Sequence, residues 1–276
     1  MPVIIYSEIN IASTNICKYI IDKYEFEKIK ENEWVKKNKD KGEKIRIIKV
    51  KENVLDFYFN ENVDYLIVAS THKSESNTKS LCVHVPGNWS KADLGGEKET
   101  LNICYASKMK TILLNIYELA KKRSMLNDWE ITLEVDHHGP TPPKINEKTP
   151  IMFVEIGSSE EQWTNQEAIS LIGDAIINSI SDNTIYPVVL GFGGGHYATK
   201  FNKFELNKNS FAISHILPKY SFDTFKENSN KMFKQAIEKN VEKIDKIIMD
   251  WKGLKSEQRQ LIIDLCEKHK IIWEKV

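Results

Sequence analysis

The sequence predicts an α/β fold in which a mixed, largely parallel sheet is flanked by helices. Along its 276 residues, short β-branched runs alternate with longer runs of helical periodicity, and this alternation is typical of βαβ units. Residues 65–69 are almost entirely apolar, as expected of a strand that is buried on both faces of a parallel sheet. Because the chain shows no internal repeat and no interdomain linker, we expect a single domain over residues 1–276.

The predicted strands are short apolar or β-branched runs that end at polar or glycine-containing turns. In chain order they are residues 3–6, 45–50, 65–69, 131–135, 151–156, 186–191, 211–217 and 246–249. Between the first two strands, residues 25–44 are strongly charged and include Trp34, so we expect a surface insertion there.

The predicted helices have apolar residues that recur at helical spacing. In chain order they are residues 9–19, 100–123, 159–180, 222–240 and 257–270. The second of them carries the longest apolar stripe, from Ile103 to Leu119. The third opens on Ser159 with Gln162 three residues later, which is the pattern of a capping box.

The charge balance excludes two classes of protein. The chain has 39 Lys and Arg against 39 Asp and Glu, which argues against a strongly basic nucleic-acid coat and against an acidic disordered tail. The segments differ, however: residues 126–218 carry a net charge of −7, whereas residues 71–125 carry +4 and residues 219–276 carry +3. Local basic surfaces are therefore still available for a polyanion.

The cysteines and the apolar runs indicate a soluble cytoplasmic protein. Cys17, Cys82, Cys104 and Cys266 form no C-x-x-C pair, so the chain lacks zinc-ribbon and thioredoxin spacing, and we expect its thiols to be reduced. No apolar run approaches the roughly 20 residues of a membrane span, and the N-terminus lacks the apolar core of a signal peptide.

Reactive side chains concentrate directly after four of the predicted strands. In chain order they are His72, Lys73 and Glu75 after the third strand, Asp136, His137 and His138 after the fourth, Glu155 near the end of the fifth, and Gly193, Gly194, Gly195 and His196 after the sixth. In open α/β sheets, ligands bind beyond the carboxyl ends of the strands. We therefore expect these four segments to share one pocket.

The histidines and glutamates of these segments are of the types that hold a metal. His72 and Glu75 form an H-x-x-E pair, which can meet on one ion if the loop turns like a helix; His84 could join them or cap the next turn. The rings of His137 and His138 point to opposite sides in an extended chain, so one of them can face the pocket. A metal hydrolase needs about three protein ligands and an open position for water, but the same histidines would also suit a metal-free site as acid and base.

A run of three glycines and two carboxylates complete the candidate site. The amides of residues 193–195 could approach a phosphate, a carboxylate or a developing oxyanion, although the run matches neither the phosphate-loop nor the dinucleotide-binding pattern. Glu134 and Glu155 lie in or beside apolar strands, where a carboxylate must be paired or hydrogen-bonded. Each is therefore either a functional base or a structural partner of a histidine or lysine.

Five segments together resemble the archaeal and plant type of D-aminoacyl-tRNA deacylase. They are H-K-S-E-S from His72, H-V-P-G-N-W from His84, E-V-D-H-H-G-P-T from Glu134, F-V-E-I-G-S-S from Phe153 and G-F-G-G-G-H-Y-A from Gly191. The resemblance implies hydrolysis of the ester that joins a D-amino acid to the 3′ end of a tRNA, and hence a proofreading role. It also implies dependence on zinc and a fold related to zinc exopeptidases and peptidyl-tRNA hydrolases.

The residue types, read beside this resemblance, give a hypothesis for each role. As metal ligands we expect His72, Glu75, His138 and His196. As catalytic residues we expect His137, Glu155, Glu134 and His84. Substrate binding and stabilisation of the oxyanion are assigned to Gly193, Gly194, Gly195 and Lys73, and tRNA contacts to Lys219, Lys252, Lys255 and Arg259.

The expected cofactor is Zn²⁺, and the expected partner is the acceptor end of a D-aminoacyl-tRNA, with a monomeric enzyme and no membrane or DNA partner. Two alternatives stay open at this point. One is a zinc-dependent peptidase or amidohydrolase acting on small substrates, which the H-x-x-E pair would also suit. The other is a module that binds the end of tRNA without catalysis.

Overall fold

The computed structural model describes residues 1–37, 44–75 and 77–276, and it confirms the α/β class. Its strands are β1 (Val3–Ser7), β2 (Glu27–Lys30), β3 (Glu33–Lys37), β4 (Lys44–Val50), β5 (Leu66–Lys73), β6 (Ser80–His84), β7 (Gly87–Asn88), β8 (Thr100–Leu101), β9 (Glu130–Leu133), β10 (Ile151–Ser158), β11 (Val188–Phe192), β12 (Ala212–Leu217), β13 (Ile244–Met249) and β14 (Trp273–Lys275). Its helices are α1 (Ile11–Lys23), α2 (Ala106–Lys122), α3 (Glu160–Trp163), α4 (Gln166–Ile180), α5 (Thr199–Glu205), α6 (Phe222–Phe225), α7 (Ser229–Glu238) and α8 (Ser256–His269).

Each of the eight predicted strands corresponds to a strand of the structure, but two predicted helices are divided. The capping box of Ser159 and Gln162 is formed at the start of α3. Asn165 then starts α4 anew, because its side chain accepts a hydrogen bond from the Ala168 amide at 2.9 Å. Residues 222–240 are likewise divided into α6, a 3-10 turn and α7.

The strands form two main sheets rather than one. The larger sheet has the order β2-β3-β4-β1-β5-β10-β6-β9, and it is antiparallel only at its first two pairs and between β10 and β6. The smaller sheet, β12-β11-β13-β14, is parallel throughout. The fold is therefore mixed and mostly parallel, as the sequence predicts.

The charged segment 25–44 adds an edge to the larger sheet. Strands β2 and β3 form an antiparallel hairpin, and β3 pairs with β4. Trp34 lies on this hairpin with its ring centroid 6.0 Å from that of Tyr6. Residues 38–43 of the segment lie outside the described residues, and the idea that the segment is an insertion stays a prediction.

The two faces of the larger sheet have different neighbours. On one face α1, α2 and α4 pack over the strands and form the main core, which continues into the smaller sheet. On the other face a smaller apolar cluster includes Val68 and Phe153. Because side chains alternate along a strand, the next residues on this second face are Ser70 and His72 of β5 and Glu155 of β10. The second face thus changes from apolar to polar toward the strand ends.

Residues of the smaller sheet's connections cover the free edge of β9. Asn202 of α5 donates from Nδ2 to the carbonyl of Ile131 at 2.8 Å and accepts from the amide of Leu133 at 3.1 Å. Just beyond β9, the amide of Val135 donates to the carbonyl of His196 at 3.1 Å. The segment that follows β11 is therefore held against the segment that follows β9, and an edge that would otherwise be open is paired.

Among the described residues, no helix combines the length and apolar character that crossing a bilayer requires.

Helix α2 carries a buried cation, the ammonium group of Lys110. Its Nζ donates to the carbonyls of Phe204, Glu205 and Phe211 at 2.9, 2.9 and 3.0 Å. Burial lowers the pKa of this ammonium group, and the three carbonyls are the acceptors that compensate it. Lys110 thus ties α2 to both ends of the connection between α5 and β12.

We expect Lys110→Met to lower the free energy of unfolding by about 3 kcal/mol, because buried carbonyls would lose their donor. Lys121→Met, at an exposed position of the same helix, should change it by less than about 0.5 kcal/mol. Urea denaturation followed by circular dichroism measures both. Equal, small effects would contradict a structural role for the Lys110 ammonium group.

Candidate active site and metal centre

Seven ionisable side chains meet on the polar part of the second sheet face. They are His72, His84, Glu134, His137, His138, Glu155 and His196. The sequence predicts convergence of loops beyond the strand ends, and this needs a correction. His72, His84 and Glu155 lie within β5, β6 and β10 themselves, so the floor of the site is the sheet and only its wall is made of loops.

The register of three strands places the side chains of the floor. Glu155 of β10 stands opposite Ser70 of β5 and Cys82 of β6. His72 pairs with Gly157 two residues later on β10, and His84 pairs with Phe153 two residues earlier. These positions alternate on one face, so the two imidazoles lie on either side of Glu155. Its Oε2 is 3.6 Å from His72 Nδ1 and 3.8 Å from His84 Nε2.

His84, His137 and His138 form the first group of potential ligands. Their ligand atoms all lie within 4.8 Å of one another. The three rings share one arrangement, in which Nδ1 meets a backbone carbonyl: that of Val85 at 3.2 Å, Val135 at 2.8 Å and Gly139 at 2.6 Å. Because a carbonyl can only accept, Nδ1 carries the proton in each ring, and Nε2 presents a lone pair. Metal-binding histidines are oriented in this way.

The pKa values of this first group favour neutral imidazoles. Burial, and then the charge of His138, lowers the pKa of His84 to about 3. Burial likewise lowers the pKa of His137 and of His138. The rings of His84 and His137 stack with centroids 4.1 Å apart, too close for two buried cations. At neutral pH the three rings are therefore ready to bind a cation.

His72, Glu134 and His196 form the second group. Glu134 Oε1 lies 3.2 Å from His72 Nδ1 and 3.6 Å from His196 Nε2. The other ring nitrogen of His72 lies 3.1 Å from the hydroxyl of Tyr197, which fixes the orientation of the ring. Glu134 Oε2 is 3.8 Å from His137 Nε2, so this carboxylate stands between the two groups.

Glu134 is the observation that points most directly to a cation. Both of its carboxylate oxygens are buried, and neither has a hydrogen-bond donor in the described part of the chain; the same holds for His84 Nε2. Burial raises the pKa of Glu134 to about 8. A buried carboxylate without a hydrogen-bond donor is costly, and the neutral rings of His137 and His196 cannot compensate it while they present lone pairs. A divalent cation would satisfy these atoms together, so the residues fit a metal centre.

Glu155 differs from Glu134 in its electrostatics. Burial alone would raise the pKa of Glu155, but its interactions with the surrounding imidazoles outweigh this effect and lower the pKa to about 2; the largest is with His72, 3.6 Å away, whose own pKa is raised. The site therefore holds two buried carboxylates whose pKa values are displaced in opposite directions. Such a division is characteristic of sites that separate two roles between similar groups.

Asp136 is not a member of the cluster, but its hydrogen bonds support the segment that carries His137 and His138. Its Oδ2 lies 2.6 Å from Nδ1 of His215, and its Oδ1 accepts a hydrogen bond from the amide of Ile216 at 2.7 Å. Nε2 of His215 contacts the carbonyl of Lys239 at 2.9 Å. These contacts fix the segment that carries His137 to β12. His215, on β12, is thus a buried structural partner of Asp136.

A pocket of about 330 Å³ opens on three of the histidines. It lies between residues 87–94 and the turn at 218–224, and His137, His138 and His196 form its inner end. Trp89 lines it, and the buried indole Nε1 of Trp89 has no acceptor among the described residues. The pocket therefore combines an apolar wall, a free donor and the histidine cluster.

Two of the predicted site residues are not brought into the cluster. Glu75 is exposed and belongs to none of the ligand groups of the described chain. His72 lies in extended strand, so an i+3 residue does not return to it as it would in a helical turn. Lys73 is exposed because it follows His72 in that strand and points away from it. Glu134 replaces Glu75 as the carboxylate beside His72.

Part of the glycine run 193–195 has a structural role that excludes it from substrate binding. The amide of Gly193 donates to the carbonyl of Leu217 at 2.8 Å, so it cannot serve an oxyanion. Gly193 and Gly194 both have positive φ, 106° and 84°, which explains the need for glycine at these two positions. Of the three predicted amide donors, only those of Gly194 and Gly195 remain candidates.

The predicted tRNA contacts lie near the pocket or beside the smaller sheet. Lys219 is exposed in the turn next to the pocket, and its amide donates to the carbonyl of Gly194 at 3.1 Å. Lys252 and Lys255 are exposed in the turn after β13. Arg259 is half-buried, and its guanidinium donates to the carbonyl of Leu254 from two nitrogens, at 3.0 and 2.6 Å. Arg259 therefore supports that turn.

Sequence reasoning missed Tyr197 and Gly157 as parts of the site. Tyr197 directly follows His196 in the motif, but its contact with His72 depends on the approach of the two sheets. A Cβ atom on Gly157 would lie 2.6 Å from Cδ2 of His72 and 2.6 Å from Oγ of Ser80. Glycine is thus required there because the imidazole occupies the space of a side chain.

The chain is similar to known proteins in sequence and in structure. A family model described as D-aminoacyl-tRNA deacylase matches residues 59–274. The D-aminoacyl-tRNA deacylases of Pyrococcus furiosus and Picrophilus torridus are each 35% identical to this chain, over 280 and 273 residues, and each alignment covers 97% of both chains. A solved structure of a conserved protein of unknown function superposes with a TM-score of 0.86 at 26% identity, covering 100% of this chain and 95% of its own.

We expect Gly157→Ala to weaken binding of a divalent cation by about 10- to 100-fold, because the new methyl group would displace His72. Gly173→Ala is the matched control, since its Cβ would meet Tyr19 Cδ1 at 2.5 Å, away from the site. Both variants should lose about 1–3 kcal/mol of stability from overpacking. Metal content after dialysis and thermal unfolding measure the two effects. Retention of metal by Gly157→Ala would contradict the placement of His72.

Proposed function

The chain belongs to the D-aminoacyl-tRNA deacylase family, and from that premise we propose how its site works. The protein is a hydrolase that cleaves the ester bond between a D-amino acid and the 3′ end of a tRNA. The peptidase or amidohydrolase alternative is not favoured, because family and relatives agree on the tRNA ester. Within the described chain, the observation that carries the proposal is the buried Glu134, whose oxygens lack a hydrogen-bond donor and which lies beside the neutral rings of His137 and His196.

We propose that the cofactor is zinc, held by the two groups of ligands. His84, His137 and His138 would bind one ion through Nε2, because their Nδ1 atoms are engaged with carbonyls. His72, Glu134 and His196 would bind a second one. Imidazole nitrogens and a carboxylate are ligands that zinc prefers. The ligand set thus extends the predicted His72, His138 and His196 by His84, His137 and Glu134, and omits Glu75.

When bound, zinc supplies polarisation of the ester carbonyl and a lowered pKa of water. We propose Glu155 Oε2 as the group that accepts the proton of the attacking water and returns it to the 3′ oxygen that leaves. Glu155 is buried, its low pKa keeps it ionised, and it lies between His72 and His84. The ion pair with His72, at 3.6 Å, holds this carboxylate in place.

The pocket beside the histidines would receive the aminoacyl end of the substrate. Its inner end is formed by His137, His138 and His196, so an ester bound there reaches the cluster. The amides of Gly194 and Gly195 are the proposed donors to the oxyanion, and Lys219, Lys252 and Lys255 the proposed contacts with phosphates. We further propose that a monomer acts in the cytoplasm, where aminoacyl-tRNA is made and used.

The decisive experiment is deacylation of matched D- and L-aminoacyl-tRNA, each with and without a chelator. We expect the D-ester alone to be hydrolysed rapidly, the chelator to abolish this activity and added zinc to restore it. The value of kcat/KM should fall steeply between about 50 and 200 mM salt, because phosphate contacts are screened. Equal rates on the two enantiomers would contradict the chirality of the reaction, and indifference to the chelator would contradict the role of zinc.

Two carboxylate variants separate the proposed roles within this assay. Glu155→Gln should keep its metal and lose about 10²- to 10⁴-fold in kcat, because the acceptor of the proton is removed. Glu134→Gln should lose metal as well as activity. Metal content measured by emission spectroscopy distinguishes them, and an identical loss of metal in both variants would make Glu155 a ligand rather than a base.

Metal binding should release protons in a pH-dependent manner. Without metal, Glu134 has a pKa of about 8 and is protonated at pH 7, so it must lose a proton to bind a cation. The pKa of His72 is also raised, by Glu155 and Glu134 against the effect of burial, so this ligand contributes to the release as well. We therefore expect at least about one proton released per enzyme at pH 7, and an apparent affinity that rises with pH through about pH 8. Calorimetry in buffers of different ionisation enthalpy measures this. Glu134→Gln should reduce the release, and Glu160→Gln, at an exposed position, should not.

A further inference from the structure

Two tryptophan rings are stacked at the outer edge of the smaller sheet. The rings of Trp251 and Trp273 have centroids 5.9 Å apart and an interplanar angle of 1°. Trp273 lies on the edge strand β14 and is 37% exposed, and the neighbouring Ile272 is 70% exposed. Trp251, in the turn after β13, is half-buried. An aromatic surface of this size that is left to solvent commonly marks a binding site.

Cations surround this aromatic pair. The guanidinium of Arg259 lies 4.7 Å from the ring centroid of Trp251, and Nζ of Lys275 lies 5.9 Å from it. Lys252 and Lys255 are exposed in the same turn as Trp251. Of the nearby carboxylates, that of Glu274 is neutralised by Lys246 at 2.8 Å, and that of Glu257 lies in the first turn of α8. The surface therefore offers flat aromatic faces within a mainly positive field.

Trp251, in the turn after β13, lies at the carboxyl edge of the smaller sheet, as part of the active site does, and Trp273 stacks on it from the start of β14, opposite Ile247. Strand β13 stands between β14 and β11, and β11 leads into the segment of His196. Neighbouring strands are about 4.8 Å apart, so β14 lies roughly 10 Å from β11. Asp250, directly before Trp251, contacts Gly193: a Cβ on that glycine would lie 3.1 Å from the Asp250 Cβ. A ligand that extends from the segment after β11 across the end of β13 would therefore reach the tryptophans.

We propose that Trp273, supported by Trp251 and flanked by Lys252, Lys255 and Lys275, stacks on the unpaired nucleotides at the 3′ end of the tRNA. The proposal rests on the proposed function, since it concerns how that substrate is held. Aromatic faces among basic side chains bind single-stranded nucleic acid, because bases stack on the rings while the cations contact phosphates. A paired stem hides its base faces, so the unpaired end is the part of the molecule that this surface can recognise.

The test compares the binding of intact tRNA and of tRNA that lacks its terminal C-C-A, by fluorescence anisotropy. The wild-type protein should bind intact tRNA more tightly. Trp273→Ala should weaken that binding by about tenfold, since stacking of one base contributes about 1–3 kcal/mol, and should leave binding of the truncated tRNA unchanged. Trp273→Phe should restore most of the affinity. Tyr58→Ala, at a 65% exposed aromatic in the connection between β4 and β5, is the matched control and should have no effect.

A second measurement separates this proposal from the proposed function. Hydrolysis of a small D-amino acid ester that carries no nucleobase should proceed within twofold of the wild-type rate in Trp273→Ala, because such an ester offers no base to stack, whereas KM for D-aminoacyl-tRNA rises. If the wild-type protein hydrolyses neither ester, the proposed function fails, and the binding comparison still tests the stacking.

Three results would overturn the proposal. The first is that Trp273→Ala binds both tRNAs as the wild-type protein does. The second is that it loses affinity for both tRNAs equally, which would assign the tryptophan to the fold or to the duplex. The third is that sedimentation shows a dimer that Trp273→Ala dissociates, so that a second copy covers the surface.

Discussion

The rest of the site depends on one constraint, the burial of Glu134 without a hydrogen-bond donor. Four imidazoles lie around or near its two oxygens, and three of these rings are neutral because burial lowers their pKa values. Rings that present lone pairs to a carboxylate do not stabilise it. A cation among these atoms, as proposed above, would satisfy the carboxylate and the lone pairs together, and the backbone carbonyls that hold Nδ1 of His84 and His137 keep their lone pairs directed inward.

The fold holds this arrangement by joining two sheets along one edge. The floor comes from β5, β10 and β6 of the larger sheet, and the wall from segments that follow β9 and β11. Asn202 replaces the missing neighbour strand of β9, and the bond between Val135 and His196 fixes the two wall segments to each other. Buried Lys110 secures α5 from behind. A change that weakens the contact between the two sheets would therefore also disturb the geometry of the site.

Much of the fold could be predicted from local sequence, and the limits have physical causes. Strands such as 65–69 and 151–156 are apolar runs whose identity depends on few distant contacts. Strand β6 was missed because Ser80, Cys82 and His84 face the site, so its residues do not form an apolar run. The division into two sheets was also invisible, since both contain parallel strands with the same pattern. Pairing across sheets is a property of tertiary structure, not of periodicity.

The candidate site could likewise be predicted only in part from the sequence. The histidines and carboxylates of the motifs are identified by residue type, and all seven members of the cluster are among the metal or catalytic candidates that the sequence predicts. Glu75, a further metal candidate, lies outside the cluster, because spacing alone does not reveal whether a segment is extended or helical. Gly193 failed because a nearby carbonyl had already taken its amide. Both errors concern the path of the backbone.

The ring orientation of three histidines has a further consequence for variation in this chain. The acceptors that fix Nδ1 of His84, His137 and His138 are main-chain oxygens, those of Val85, Val135 and Gly139. Every residue type has such an oxygen, so no codon change at these three positions deletes an acceptor. Side-chain substitutions at these three acceptor positions therefore leave the tautomers of the histidines unchanged, and only a change in the course of the backbone can alter them.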